Sequence, residues 1–389
     1  MAQYHDDDTA TLRPKRRIAT GIIAWSGVVA IGLALTLIPV PFVVESPGPT
    51  VDVGGSLGGN PILDISGTDP QTGDALTLDP LHEAGDASGQ IRLVTVSESG
   101  GPGHSLSTVE LFLKWLDSRN TIHRYSDIYG PDVTSDDVTA AGQAQMSNAQ
   151  SASTVAALEE LGWDVPATIK VVGVVEGSHA VGKLMEGDVL VSITTPDGTV
   201  HQVDSPSVPF RVMKSVAPES QLNVTVVRNG ETVTVDVTSI GTVGADGQPE
   251  EGSKLGLYLE PEATLPIEVG IELENIMGPS AGMVFALGII DRLTAGDMTG
   301  GQVIAGTGTL TFDGEVGAIG GIKQKMWGAV RDGATWFLAP QDNCSDVVGN
   351  VPEGLRVVSV GTLSEARAAV DAIAQGSGEA LPTCQSVQG

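Results

Sequence analysis

One serine in this 389-residue chain stands where a nucleophile would be placed. Ser280 lies in Gly278-Pro-Ser-Ala-Gly282, between an apolar strand-like run from Leu265 to Ile276 and a helix-like run from Ala281 to Leu293. Such a turn puts Ser280 at a helix N-terminus, where free backbone N–H groups and the positive end of the helix dipole can meet an oxyanion. The amide of Ala281 is one such donor, and Gly278 and Gly282 leave room for a substrate backbone. The serine also needs a base. The Gly-x-Ser-x-Gly spacing of a nucleophile elbow calls for an acid and then a histidine downstream, yet all six histidines precede Ser280. Two lysines follow it, in Gly320-Gly-Ile-Lys-Gln-Lys325. A lysine buried among apolar groups can be neutral and accept the serine proton. If a helix opens near Ile322, Lys323 and Lys325 project about 200° apart, so only one faces the serine. Lys325 shares a face with the small Ala329, and Lys323 remains a competitor.

Four stretches in order resemble the successive blocks of Lon-type serine proteases: Gly278-Pro-Ser-Ala-Gly282, Thr307-Gly-Thr-Leu-Thr311, Gly317-Ala-Ile-Gly-Gly-Ile-Lys-Gln-Lys325 and Ala339-Pro-Gln-Asp-Asn343. The resemblance implies a Ser-Lys dyad in an α+β proteolytic domain, with Ser280 as nucleophile and Lys325 as general base. Thr307 matches the family threonine that helps position the lysine amine. Many Lon proteases carry an acidic residue just before the Gly-Pro-Ser block, where this chain has Met277. An apolar neighbour there favours a neutral lysine, and Ile319 and Ile322 are expected to join Met277 in keeping the amine dry. Larger Lon proteases also carry an ATPase module. Here Gly177 to Lys183 imitates a phosphate loop, but Leu184 replaces the Ser or Thr that would hold Mg²⁺. The expectation is therefore cleavage of flexible or unfolded segments without nucleotide, cofactor or metal. Related folds often assemble as rings, which leaves a homo-oligomer open.

The elements that position this chemistry follow from the chain's start. Residues 1–17 are polar and carry Arg13, Lys15, Arg16 and Arg17, and no charge occurs from Ile18 to Val44. Pro39 and Pro41 end a helix near Ile38, so about 21 residues at ~1.5 Å each span about 31 Å, one bilayer core. The run exceeds a signal-peptide h-region and no clear cleavage site follows. The expectation is an uncleaved anchor within 18–44, the N-terminus cytoplasmic by its basic cluster and the rest across the membrane. The formal charge of −28 disfavours nucleic acid and anionic headgroups as partners. Cys344 and Cys384, the only cysteines, either form a disulfide tying the tail to the protease domain or remain two thiols.

Residues 45–165 carry no catalytic constellation. Gln90 to Ser97 alternates as a half-buried strand, and Ser107-Thr-Val-Glu110 reads as a capping box for a helix through Leu116. A helix from about Ser135 to Leu161 is rich in Gln, Ser and Asn, which suits a solvated or interfacial face. Whether this region completes the protease sheet is open. From 166 to 240 the pattern turns to short β runs, Thr168 to Val175, Asp188 to Ile193, Gln221 to Arg228 and Thr232 to Thr238. With Gly177-Ser-His-Ala-Val-Gly-Lys-Leu-Met-Glu-Gly-Asp188 between the first two, the stretch resembles a PDZ domain of the bacterial protease-associated kind. Such domains add a peptide as an extra strand on a sheet edge, and Ile169 and Val171 are the expected peptide contacts. Residues 241–253, rich in Gly, Asp and Glu, read as a linker. Residues 254–375 are the expected proteolytic domain, and 376–389 a loosely ordered tail.

The fold class is thus α+β, with a transmembrane helix, a PDZ-like β domain and a Lon-type domain in order. The expected function is an ATP-independent, membrane-anchored serine endopeptidase acting on peptides and proteins. Two alternatives stand beside it: an inactive, membrane-tethered PDZ adaptor that binds peptides, and a structural envelope component assembled through the long polar helix.

Overall fold

The computed structural model describes residues 25–26, 32, 36–81, 88–244, 249–273 and 276–387. Most of the expected anchor falls outside the described residues. Among those described, no helix is long and apolar enough to cross a membrane. The last residues of the charge-free run, 42–44, begin a strand.

The first half of the chain forms β1 (Pro39–Val40), β2 (Phe42–Asp52), β3 (Gln90–Ser99), β4 (Leu106–Ser107), α1 (Thr108–Trp115), β5 (Thr121–Arg124) and α2 (Ser135–Glu160). Next come β6 (Ala167–Val174), β7 (Val189–Thr194), α3 (Val208–Lys214), β8 (Gln221–Arg228), β9 (Glu231–Thr238) and β10 (Leu257–Ala263). The last third holds α4 (Gly282–Leu293), β11 (Val303–Gly306), α5 (Ile322–Arg331), β12 (Trp336–Pro340), β13 (Arg356–Val360) and α6 (Leu363–Ala374). The chain divides into two compact units, residues 1–46 with 97–138, and 47–96 with 139–389.

In the smaller unit, β1 pairs antiparallel with β4, and Phe42–Glu45 of β2 with β5. The capping box at the start of α1 forms: the Ser107 hydroxyl accepts from the Glu110 amide, and the Glu110 carboxylate accepts from the Ser107 amide.

The larger unit is built on a sheet whose strands β13, β12, β11 and β3 run parallel in that order. Alternate side chains divide between two cores, as the pleat requires. Ile91, Leu93, Ile304, Leu338 and Val358 join α4, α6 and the C-terminal half of α2 on one face. Val94, Ala305, Phe337 and Val357 join α5 on the other. Both faces are covered, which is why Trp336 to Pro340 reads as an unbroken apolar run. The region before the β module therefore supplies one strand of this sheet, β3. The C-terminal half of α2 is a core element rather than a solvated or interfacial one, since Ser153 through Leu158 are buried, the small polar Ser153 and Thr154 among them.

The β module is an antiparallel sheet in the order β9-β8-β7-β6-β10, with its own core. The stretch read as a linker is instead a hairpin, Ile240–Val243 against Pro249–Lys254, and β10 continues into the module's sheet by pairing with β6. Its Gly, Asp and Glu content looked like loop because a hairpin's cohesion lies in backbone pairing. The module thus runs to Ala263, beyond the expected boundary at 240, and is an insertion. Thr264 N–H donates to Pro166 O at 2.7 Å, so both ends of the insert leave the larger fold at one point. The C-terminal stretch is more tightly held than expected: a disulfide joins Cys344 and Cys384, both buried.

Candidate active site

Ser280 lies on the turn that leads into α4, and four neighbours fix that turn. Gly278 has φ +92°, a left-handed conformation that favours glycine, and its N–H donates to Gly142 O of α2 at 3.1 Å. The Ser280 carbonyl accepts from Gly308 N–H at 2.9 Å and from the Thr307 hydroxyl at 3.0 Å. The Ser153 hydroxyl of α2 lies 2.8 Å from the Gly282 carbonyl. Gly282 itself does not face a substrate. A Cβ there would stand 2.9 Å from both the Leu310 Cβ and N, so its smallness serves the packing of α4 on Thr309–Leu310. Gly278 has open space where a Cβ would point.

Lys325 enters from α5, in the first turn after Gly321, which caps the helix with φ +68°. Any side chain on Gly321 would meet Val96 Cγ2 at 2.5 Å, so strand β3 sets how closely the helix start approaches. The loop before it is clamped by Asn343, whose amide donates to Ile319 O and accepts from Ile319 N–H, each at 2.9 Å. This places Lys325 Nζ 2.7 Å from Ser280 Oγ and 2.8 Å from Thr307 Oγ1. Lys325 is 3% exposed and Thr307 fully buried, while Ser280 is half-buried. Lys323, two positions away, is half-buried and makes no such contact. Among the described residues the amides of Ser280 and Ala281 donate no hydrogen bond, which leaves them available beside the hydroxyl.

Two expectations about the surroundings change. Ile322 is buried and Ile319 packs against the same core, but Met277 is 48% exposed and lies against Gly142, so it does not cover the amine. Met326 and Ala329, both fully buried, flank the lysine on α5 instead. Ile169 and Val171 are not available to a peptide. Each is 1% exposed in the module's core, and β6 is hydrogen-bonded on both sides, to β7 and β10.

β10 is one of the two edges of the module's sheet. A cleft of about 900 Å³ runs beside it, lined by Phe210 and Met213 of α3, Leu257 and Leu259 of β10, and Thr309 and Thr311. Phe210 meets Phe312 with ring centroids 5.9 Å apart, and Lys214 pairs with Glu315. Thr309 is two residues from Thr307, so one end of this cleft borders the strand next to Ser280. The sequence carried a signal for the Asn343 clamp, the Pro-Gln-Asp-Asn block, but none for the contacts of Gly142 and Ser153.

Residues 275–370 match the family described as Lon protease (S16) C-terminal proteolytic domain. Lon protease 1 of Bacillus subtilis (strain 168) is 33% identical over 110 residues, which is 28% of this chain and 13% of that protein. The Lon protease of Clostridioides difficile (strain 630) is 40% identical over 79 residues, 20% of this chain and 10% of that protein. The chain therefore spans only about a tenth of the length of these relatives. A solved PDZ domain of the SdrC-like protein from Listeria monocytogenes covers 23% of this chain and 85% of its own, at 15% identity and a TM-score of 0.19, too slight a likeness to argue from. The part of the chain that brings Ser280, Thr307 and Lys325 together is similar to the proteolytic domain of Lon proteases.

Proposed function

We propose that the chain is a membrane-anchored serine endopeptidase that cuts unstructured polypeptide segments without a nucleotide, with Ser280 as nucleophile and Lys325 as general base. The observation that carries this reading is the 2.7 Å contact between a buried lysine amine and a half-exposed serine hydroxyl. Burial disfavours an ammonium ion, and the first turn of α5 adds positive partial charge, so the neutral amine is the favoured form. Neutral Lys325 Nζ takes the Ser280 proton as Oγ bonds to the substrate's carbonyl carbon. The oxyanion that forms accepts from the amides of Ser280 and Ala281. Lys325 then returns the proton to the leaving amine as the C–N bond breaks, and water repeats the sequence on the acyl-serine. Thr307 holds the amine by accepting one of its protons, and restrains the turn by donating to the Ser280 carbonyl.

The inserted β module would present the substrate. A peptide adding to the open edge of β10, with α3 over its side chains, would point one end toward Thr309 and the serine. The charge-free run before Pro39 would anchor the chain, its N-terminus cytoplasmic and the catalytic unit on the other side.

Substituting Ser280→Ala and Lys325→Ala in the full chain, and following cleavage of an unstructured protein without ATP, tests the chemistry. Each substitution should cut turnover by at least about a thousandfold with the fold intact. A parent that binds peptides but cleaves none would make the chain a tethered adaptor instead.

A further inference from the structure

Helix α1 turns its apolar side outward. Val109, Phe112, Leu113 and Leu116 recur at the i, i+3, i+4, i+7 spacing of one helical face. Phe112, Leu113 and Leu116 are 56, 59 and 61% exposed. Beside them Trp115 is 66% exposed, its ring 6.1 Å from that of Phe112. The opposite side is held down by a polar contact, Lys114 Nζ donating to Ser46 Oγ at 3.1 Å. Glu110, the only acid on the helix, is turned back onto Ser107. Four large apolar side chains side by side on one short helix form a patch that asks for a covering surface.

The position of the helix says what covers it. Its N-cap Ser107 is the Cα partner of Pro39, and Leu106 that of Val40. Pro39 directly follows Ile18–Ile38, the part of the charge-free run read as the anchor. Eight residues of helix are about 12 Å long, so the whole stripe lies within about 20 Å of the point where that run ends. Leu37 and Ile38, 74 and 58% exposed, carry the apolar surface up to that point. A Trp and a Phe set among leucines, next to a membrane exit, fit the interfacial layer where aromatic rings meet headgroups.

We infer that α1 lies in the surface of the same bilayer that Ile18–Ile38 crosses, with Phe112, Leu113, Trp115 and Leu116 among headgroups and upper acyl chains. This rests on the anchor reading given above. The lipid surface it fits is zwitterionic, because a chain of formal charge −28 gains nothing from anionic headgroups. The chain would then hold the bilayer at two points, and the smaller unit would be fixed against the membrane rather than swinging on a single strand.

Tryptophan quenching in the full chain separates the two readings. Trp25 reports the run, Trp115 reports α1, and the probe is a phosphatidylcholine vesicle containing lipid brominated at a shallow or a deep acyl position. Trp25→Phe and Trp115→Phe should each remove a distinct share of the quenching. In the Trp25→Phe chain, shallow bromine should quench more than deep bromine. Phe112→Asn with Leu113→Asn, which leaves Trp115 in place, should abolish its share. Quenching at Trp25 but not at Trp115 overturns the inference while the anchor stands, and concentration-dependent cross-linking through α1 would then assign the stripe to a second copy. Quenching at Trp115 without Trp25 overturns the anchor and leaves the surface contact of α1. Quenching at neither overturns both.

Discussion

A serine beside a lysine can be a structural hydrogen bond or a reactive pair, and what distinguishes them is whether the lysine can accept. Lys325→Arg keeps a long side chain with N–H donors, but a guanidinium stays charged and cannot act as a base near neutral pH. It should therefore be as inactive as Lys325→Ala, whereas Lys323→Ala should stay within about threefold of the parent, since Lys323 does not reach Ser280. Initial rates on one unstructured substrate, with circular dichroism as the folding control, decide both. A Lys325→Arg chain that still cleaves would remove the lysine from the proton path. Ser280, Thr307 and Lys325 were legible because their spacing repeats an ordered set of blocks, and the structure brings all three within 3.0 Å contacts. The choice between the two lysines was half legible, resting on which helical face carried a small residue and on the position matched in the resembling blocks. Gly142 and Ser153 were not, because each meets the turn across more than 120 residues of chain, with no block of its own to mark it.

Elements were legible wherever side-chain period decided them. Gln221–Arg228 forms over the expected residues, and α4 starts one residue later than expected. Pairing was not legible. Alternation in Ala167–Val174 puts Ile169 and Val171 on one face but cannot say that β6 sits between two partners, and so the peptide contacts were assigned to a strand with no free edge. The Gly-Asp pair at the entry to β7 has a structural purpose the pattern only hinted at. Arg228 donates two 2.7 Å bonds to the buried Asp188 carboxylate, and the Met185 amide a third. The Arg228 bonds, with that amide, hold its pKa below the ordinary 3.8. A carboxyl lowered in the folded state adds stability that is present above the unfolded value and is lost as pH falls through the folded one. Asp188→Asn should therefore cost the module roughly 2 to 3 kcal/mol near pH 7, and the difference from the parent should shrink as pH drops below the ordinary 3.8. Urea melts of the full chain at pH 7 and in acid measure this, and a deficit independent of pH would assign the loss to packing rather than charge.

At the scale of the whole molecule the catalytic fold is discontinuous. Strand β3 is the parallel partner of β11, α2 holds the nucleophile turn through Gly142 and Ser153, and the β module interrupts the chain between them and Ser280. A fragment beginning at residue 254, the boundary the composition suggested, lacks the partner of β11 and the helix that holds the Ser280 turn, so it should not fold. The insert has the opposite property. Ala167 and Ala263 are paired, and Thr264 N–H reaches Pro166 O at 2.7 Å, so its two ends already meet. Two glycines in place of 167–263 would close the gap without moving either flank. The module keeps its own core, and its contacts with the catalytic part include Phe210 on Phe312 and Lys214 with Glu315. The shortened chain should therefore melt cooperatively and still turn over short peptides through Ser280 and Lys325. On unstructured proteins, whose capture is assigned to the edge of β10, its advantage over short peptides should fall by about tenfold or more, the worth of one to two kcal/mol of edge pairing. The ratio of kcat/KM on a protein substrate to that on a short peptide, measured for both chains, is the deciding quantity. An unchanged ratio in a folded, active chain would mean that the module does not deliver substrate and that the β10 cleft has another occupant.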